Sequence, residues 1–396
     1  MTASEQLAQF AAGSKALPKL CREYKKESAT VHLKELVGGA LSFYAAAAVA
    51  KTGGVHIFVA EDRDAAAYLL NDFYNLLDEK QVYFFPSSYK RSVAYGAEDA
   101  QGVVQRTAAM NAVRGFTKGY LVVCTYPEAL AERVVDAATL QRDTIAVKLG
   151  DKISIAVLED ALADANFTRV DFVYEPGQYS VRGGIVDVFS YSESKPYRID
   201  FFGDEVDSIR RFNISSQLSA DKLDRVEIVP NLNAGEAPRV SFVQFAGSGA
   251  TCWFYDADYV LRRVNDLRRK VLADMEEPGR IDGLLTSRNV LLRDMAGNSV
   301  VALRDNLPER PATAAVVFDT APQPKFNKNF EMLADDMIRN SLRGYATYIL
   351  SENKVQVERL ENIFHQIGRG QAAVRSLSVT LHEGFVDNDL KLCLYT

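Results

Sequence analysis

The sequence predicts an α/β protein with a parallel sheet, an inserted α+β domain and a small C-terminal α/β domain. Three observations predict it. Residues up to about 135 alternate β-branched runs with helical patterns, as a parallel sheet requires. From about 139 to 229 the pattern changes to short strands joined by tight turns. Beyond the proline-bearing stretch 321–325 a short helix–strand series starts again. The expected divisions are therefore 1–138, 139–229, 230–320 and 321–396. A length of 396 residues suits two to four such units at about 150 residues each.

Each element has its own reason. Val55–Ala60 is an apolar, β-branched run that reads as a buried strand. Asp62 caps the next helix, which spaces Ala65, Leu69, Phe73 and Leu76 along one face. Val82–Phe85 is a strand halted by Pro86. A helix from about Ala100 to Arg114 leads to the strand Tyr120–Cys124, and Pro127 opens another helix at its first turn. Ser154 caps the helix Ile155–Ala165, with Leu158 and Leu162 facing one way. Tyr179 and Val181, then Ile185–Phe189, flank Gly183-Gly184, which favours a bulge or bend. Tyr197–Phe202 alternates, Gly203-Asp204 turns, and Val206–Phe212 returns: an antiparallel sheet with one buried and one wet face.

Pro230–Gly235 reads as a linker. Thr251–Tyr255 is a strand. Ala257–Met275 is a helix with Val260, Val264, Leu267 and Val271 on one face. Val290–Leu292 is too short to assign, and Ala314–Phe318 reads as a buried strand. After the second linker signal, Ala321–Lys325, come a helix (Phe330–Arg339), a strand (Ala346–Leu350), a helix (Val355–Ile367) and a strand (Leu390–Tyr395). Ending directly on that strand, the chain is expected to be part of a longer protein.

Composition excludes several classes of function. Hydrophobic residues at 47% and charged residues at 25% match a globular protein. With 46 basic and 52 acidic side chains, the net charge of −6 argues against a chain that binds polyanions over its whole surface. Cys21, Cys124, Cys252 and Cys393 share no close spacing, so neither a disulfide framework nor a zinc site is suggested. Four scattered histidines suggest no metal site. The Ala40–Ala50 run is too short to span a membrane. Nor does the N-terminus carry a basic start and apolar core. A cytoplasmic location without membrane contact is the expectation.

Two motifs raise the question of chemistry. The first strand–turn–helix, Leu33–Ser42, stands where a phosphate-binding loop would sit. That loop needs Gly-Lys-Ser/Thr, for lysine reaches the β/γ oxygens and the hydroxyl binds Mg²⁺. No Gly-Lys-Ser/Thr occurs in the chain, leaving Gly38, Gly39 and Ser42 as a degenerate loop with no cofactor expected. The glycines then serve close strand–helix packing, or a weak anion site at the helix start. The helix carrying Arg262, Arg263, Arg268, Arg269 and Lys270 is basic enough to touch nucleic-acid phosphates. Acidic neighbours and missing aromatic residues favour a solvated face instead. No nucleophile–base arrangement emerges, so no catalytic residue is expected.

The informative stretch is Phe167–Phe212. Ser180 and Arg182 fall on one face of their strand, Tyr179 and Val181 on the other. Arg169 and Arg182 are candidates for the wet face, where guanidinium groups recognise a partner's carboxylates. Equally, Arg182 pairs with a cross-strand acid such as Asp187.

This stretch resembles the module shared by the nucleotide-excision-repair helicase UvrB and the bacterial transcription-repair-coupling factors (Mfd). The resemblance rests on Thr168-Arg169-x-Asp171, Glu175-Pro176-Gly177-x-Tyr179-x-Val181-Arg182-Gly183, Ile185–Phe189 and Pro196–Arg210, with weaker likeness over about 31–230. His382–Val386 is similar to a piece of the coupling factor's third domain. The missing loop lysine, and the lack of room for UvrB's DNA-inserted hairpin around Pro86–Gly96, favour the coupling factor; a UvrB-like, DNA-engaging helicase subunit is the alternative. The resemblance implies a degenerate P-loop-NTPase-like domain (1–138, completed by 230–320), a UvrA-binding domain (139–229) and a small third domain (321–396). It implies docking rather than catalysis by this region, with UvrA contact through Arg169, Arg182, Tyr179 and Ser180. UvrB has a further arginine where this chain has Ser180, which implies a weaker or differently arranged interface. ATP, Mg²⁺, RNA polymerase and double-stranded DNA would be engaged by parts of the whole protein beyond residue 396.

Overall fold

The computed structural model describes residues 2–90, 98–233, 237–275 and 277–396. Its architecture is mixed α/β in several layers. The largest sheet has seven strands in the spatial order 314–317, 30–34, 299–302, 251–254, 54–59, 120–125, 82–84. Every pairing is parallel. Strands from both ends of the sequence interleave, so this sheet closes only across the stretch between residues 135 and 239.

Apolar runs dictate this burial on both faces. Gly54–Val59 and Tyr120–Thr125 are buried along almost their whole length, as parallel strands between helix layers must be. On one side Ile57, Val123, Cys252 and Val300 pack against Met110, Val260 and Leu291 from three helices. On the other, Val31, Val122 and Trp253 pack against the helices Ala3–Ala12, Ala16–Tyr24 and Ala40–Thr52. Asp62 caps its helix by accepting a hydrogen bond from the Ala65 amide at 2.9 Å, and Pro127 occupies the first turn of the next, as their positions predict.

Several elements depart from the sequence reading. The two N-terminal helices were not foreseen, although Thr2 and Glu5 form a reciprocal capping box. Val290–Leu292 lies in the helix Arg288–Asp294, whose N-cap is Ser287. Thr320–Pro322, overlapping the expected linker at Ala321 and Pro322, is an edge strand of the C-terminal sheet; Pro322 is tolerated because an edge need not donate. The closing strand starts at Leu392 rather than Leu390, because Lys391 holds a left-handed φ of 51°. Residue 139 falls inside the helix Ala137–Asp143. The linker residues 234–235, residues 91–96 of the Pro86–Gly96 segment and Glu276 lie outside the described residues.

The C-terminal sheet, ordered 320–322, 385–387, 392–395, 346–350, 375–377, is not isolated. Leu377, Leu381, Phe385 and Leu394 share one apolar core with Phe43 and Tyr44 of the Ala40–Thr52 helix. The Tyr44 hydroxyl donates to the buried Asp387 carboxylate at 2.5 Å. All four cysteines are buried and free. Among the described residues, no helix is long and apolar enough to cross a membrane.

His56 is a buried polar group inside the large sheet. Trp253 Nε1 donates to His56 Nδ1 at 3.1 Å, so His56 Nε2 carries the proton and donates to the Gly53 carbonyl at 3.1 Å. Burial, aided by the charge of Lys25, pushes its pKa down to about 4. The unfolded chain, titrating near its ordinary value of about 6.5, therefore takes up the proton first. Stability is complete above about pH 6.5 and is lost as pH falls towards 4, by on the order of 3 kcal/mol. Urea melts followed by Trp253 fluorescence should show this slope, and His56→Gln should flatten it.

Candidate functional site

The module carrying the informative stretch is a six-stranded sheet. Its order is 219–223, 205–212, 197–202, 185–188, 178–182, 168–169. Gly183-Gly184 forms a two-residue hairpin turn, with Arg182 paired to Ile185 and Gly183 at φ 59°, rather than a bulge. Gly203 at φ 63° turns the next hairpin. Tyr179, Val186, Val188, Tyr197, Ile199 and Ile209 face the helix Ile155–Asp164, where Leu158 and Leu162 complete a small core.

The opposite face is polar and interlocked. Cross-strand register places Ser180, Asp187, Arg198, Arg210 and Lys222 in one row, with Arg182 and Asp200 beside it. Asp187, only 1% exposed, accepts from Arg182 Nη2 at 2.5 Å and from Arg198 Nε at 2.7 Å and Nη2 at 2.9 Å. Asp200 accepts from Arg210 and Ser208. The hydrogen bonds it donates to Asp187 hold the Arg198 guanidinium above its ordinary pKa. Along these strands Arg182, Arg198, Arg210 and Lys222 thus face two carboxylates, Asp187 and Asp200.

Arg182 is held from three sides. Besides Asp187, its Nη1 donates to the Asp171 carbonyl at 3.1 Å, and its guanidinium lies 4.8 Å from the centre of the Phe172 ring. Its side chain remains 36% exposed. Phe172 and Tyr174, next along the same loop, expose large parts of their rings. The sequence reading did not name these two aromatic residues, although the alternation Phe172-Val173-Tyr174, with only Val173 buried, was the available signal.

The other expected contacts are placed differently. Arg169 pairs in parallel register with Tyr179, and so belongs to the core side of the sheet, at its edge. There its side chain, 60% exposed, meets Glu159 of the covering helix at 3.0 Å. Arg169 and Arg182 therefore do not share one wet face: the short strand enters the sheet one register away from that arrangement. Tyr179 is buried in the core, and Ser180 is buried beneath the loop on the polar face, its hydroxyl without a partner among the described residues. Neither offers its side chain to a partner. The basic helix is balanced by its own acids and by those of neighbouring helices, with Arg262 on Asp258 at 2.8 Å, Arg263 on Glu128 at 3.0 Å, and Arg268 and Arg269 on Asp282 and Asp266.

At the degenerate loop, Gly38 has φ 56° and Gly39 begins the helix Ala40–Thr52. The backbone of Glu383 and Gly384 presses against both glycines. Ser42 donates to Asp72 Oδ2 at 2.6 Å, and the His382 amide donates to Asp72 Oδ1 at 2.7 Å. A carboxylate thus meets the Ser42 hydroxyl near the start of this helix. Among the described residues, no cluster of His, Cys, Asp or Glu is placed to hold a metal ion.

Residues 145–233 match the family model described as "UvrB interaction domain". The chain is 27% identical over 199 residues to the transcription-repair-coupling factors of Bacillus subtilis and Escherichia coli, covering 50% of this chain and 17% of each relative. It is 35% identical over 101 residues to the factor from Haemophilus influenzae, 26% of this chain and 9% of that protein. The chain spans only a small part of the length of the relatives it matches. The resemblance to the coupling-factor family and its UvrB-like module is borne out.

Proposed function

We propose that this chain is a docking region that recruits the repair protein UvrA within transcription-coupled repair, and that it performs no catalysis itself. One observation carries the reading: the family match over 145–233 coincides with the sheet whose polar face fixes a part-exposed arginine. A guanidinium already held by Asp187 and Phe172 loses little rotamer freedom on binding, so its contact with a partner acid is favoured. Phe172 and Tyr174 add apolar area beside it. Arg169, whose surface pairing with Glu159 is worth less than about 1 kcal/mol, can exchange that partner at the sheet edge. In the whole protein, ATP, Mg²⁺, RNA polymerase and double-stranded DNA would be handled by other regions, in the cytoplasm.

The test is an affinity measurement of the 396-residue chain against purified UvrA. Arg182→Ala leaves Asp187 still paired with Arg198, so the module keeps its fold. It should weaken UvrA binding about tenfold or more, and Arg169→Glu should weaken it further. Reversal of Arg262 and Arg263 together should leave binding unchanged. Full affinity in a folded Arg182→Ala protein would remove this face from the interface. Steady ATP turnover by the chain would instead favour the UvrB-like alternative.

A further inference from the structure

A cavity of about 270 Å³ opens at the C-terminal ends of the strands 54–59 and 251–254, between the Gly38–Ser42 loop and the His382–Glu383 segment of the C-terminal sheet. This is the crevice where open α/β sheets bind ligands, and it approaches the small end of the range for drug-sized ones, about 300 Å³. We propose that it binds a small organic cation, a protonated amine on a flat apolar body, rather than a nucleotide.

The lining decides the class. Glu61, Asp72 and Glu383 contribute three carboxylates, and no lysine or arginine lines the cavity. A phosphate would meet these acids where a phosphate-binding loop supplies lysine, and the Glu383 backbone already sits against Gly39. Tyr68, Trp253 and Tyr255 supply aromatic surface, the setting in which ammonium groups are recognised. Tyr68 is stacked on His382 with ring centres 3.6 Å apart, which fixes the wall. Asp72 is 4% exposed, and its bonds come from a neutral hydroxyl and one amide, so among the described residues neither lysine nor arginine pairs with it, and His382 is the basic side chain near enough to favour its charged form. Burial, together with the like charge of Glu383, raises its pKa, a strain that a bound cation relieves. An organic cation is preferred to a metal because these acids do not converge closely enough to ligate an ion.

Trp253 is the chain's one tryptophan, so its fluorescence reports the cavity directly. The full chain is titrated with 2-phenylethylamine, with the similarly sized anion 3-phenylpropanoate, and with ATP plus Mg²⁺. Saturable binding of the amine is expected, weakened about tenfold by Glu61→Gln and by Glu383→Gln, two exposed positions whose substitution leaves the core intact. Neither the anion nor ATP should bind. The proposal fails if the amine does not bind up to about 10 mM, if the anion or ATP binds as well, or if neither glutamine substitution changes the amine's affinity.

Discussion

Asp187→Ala should destabilise the inserted sheet by about 3 kcal/mol, the low end of the usual cost of breaking a buried pair, because both arginines stay partly wet. The carboxylate accepts three charge-assisted hydrogen bonds from two guanidinium groups, at 2.5, 2.7 and 2.9 Å. Its loss leaves Arg198, whose side chain is only 16% exposed, without its counter-charge. It also leaves Arg182 with only the Asp171 carbonyl and the Phe172 ring. Urea denaturation should show a lower midpoint with the slope nearly unchanged. If the proposed docking holds, UvrA affinity should fall with it, since Arg182 would no longer be held in place. A loss below about 1 kcal/mol would mean that the pairs are no stronger than ordinary surface ones.

Gly39→Ala is the second large effect, and its cause lies in contact rather than conformation. Gly39 has φ −64°, which alanine adopts freely, but a methyl group there collides with the backbone carbonyl of Glu383. The His382–Gly384 segment must then retreat, at a cost of about 1–3 kcal/mol typical of overpacking. That movement pulls on the Asp72–His382 hydrogen bond and the Tyr44–Asp387 contact. Hydrogen exchange should therefore accelerate in residues 381–395 while the inserted sheet keeps its protection. Gly38→Ala makes a useful contrast: its φ of 56° imposes a local backbone cost of about 1–2 kcal/mol, with less displacement of the C-terminal segment.

The large sheet was legible where strands are continuous apolar runs, as at Val55–Ala60 and Tyr120–Cys124, because burial on both faces leaves no ambiguity of period. Ser299–Ala302, no shorter than the strand Thr251–Phe254 that was read, was not foreseen. The ion pair of Arg182 with Asp187, one reading the sequence left open, forms in the structure. The placement of Arg169 was not legible. Which face a two-residue strand presents depends on its register with Gln178-Tyr179, a long-range choice that local alternation does not encode. The packing of Glu383 against Gly39 was equally hidden, because the two positions are more than 340 residues apart.

The interleaved order of the large sheet has a consequence for biosynthesis. The strand 30–34 lies between 299–302 and 314–317, so after emerging from the ribosome it waits for some 270 further residues before either neighbour exists. The hairpins of the inserted module join strands adjacent in sequence and close as soon as they are made. The inserted module should thus be native on the nascent chain while the large sheet is still incomplete, and a chaperone has most to protect in the first 135 residues.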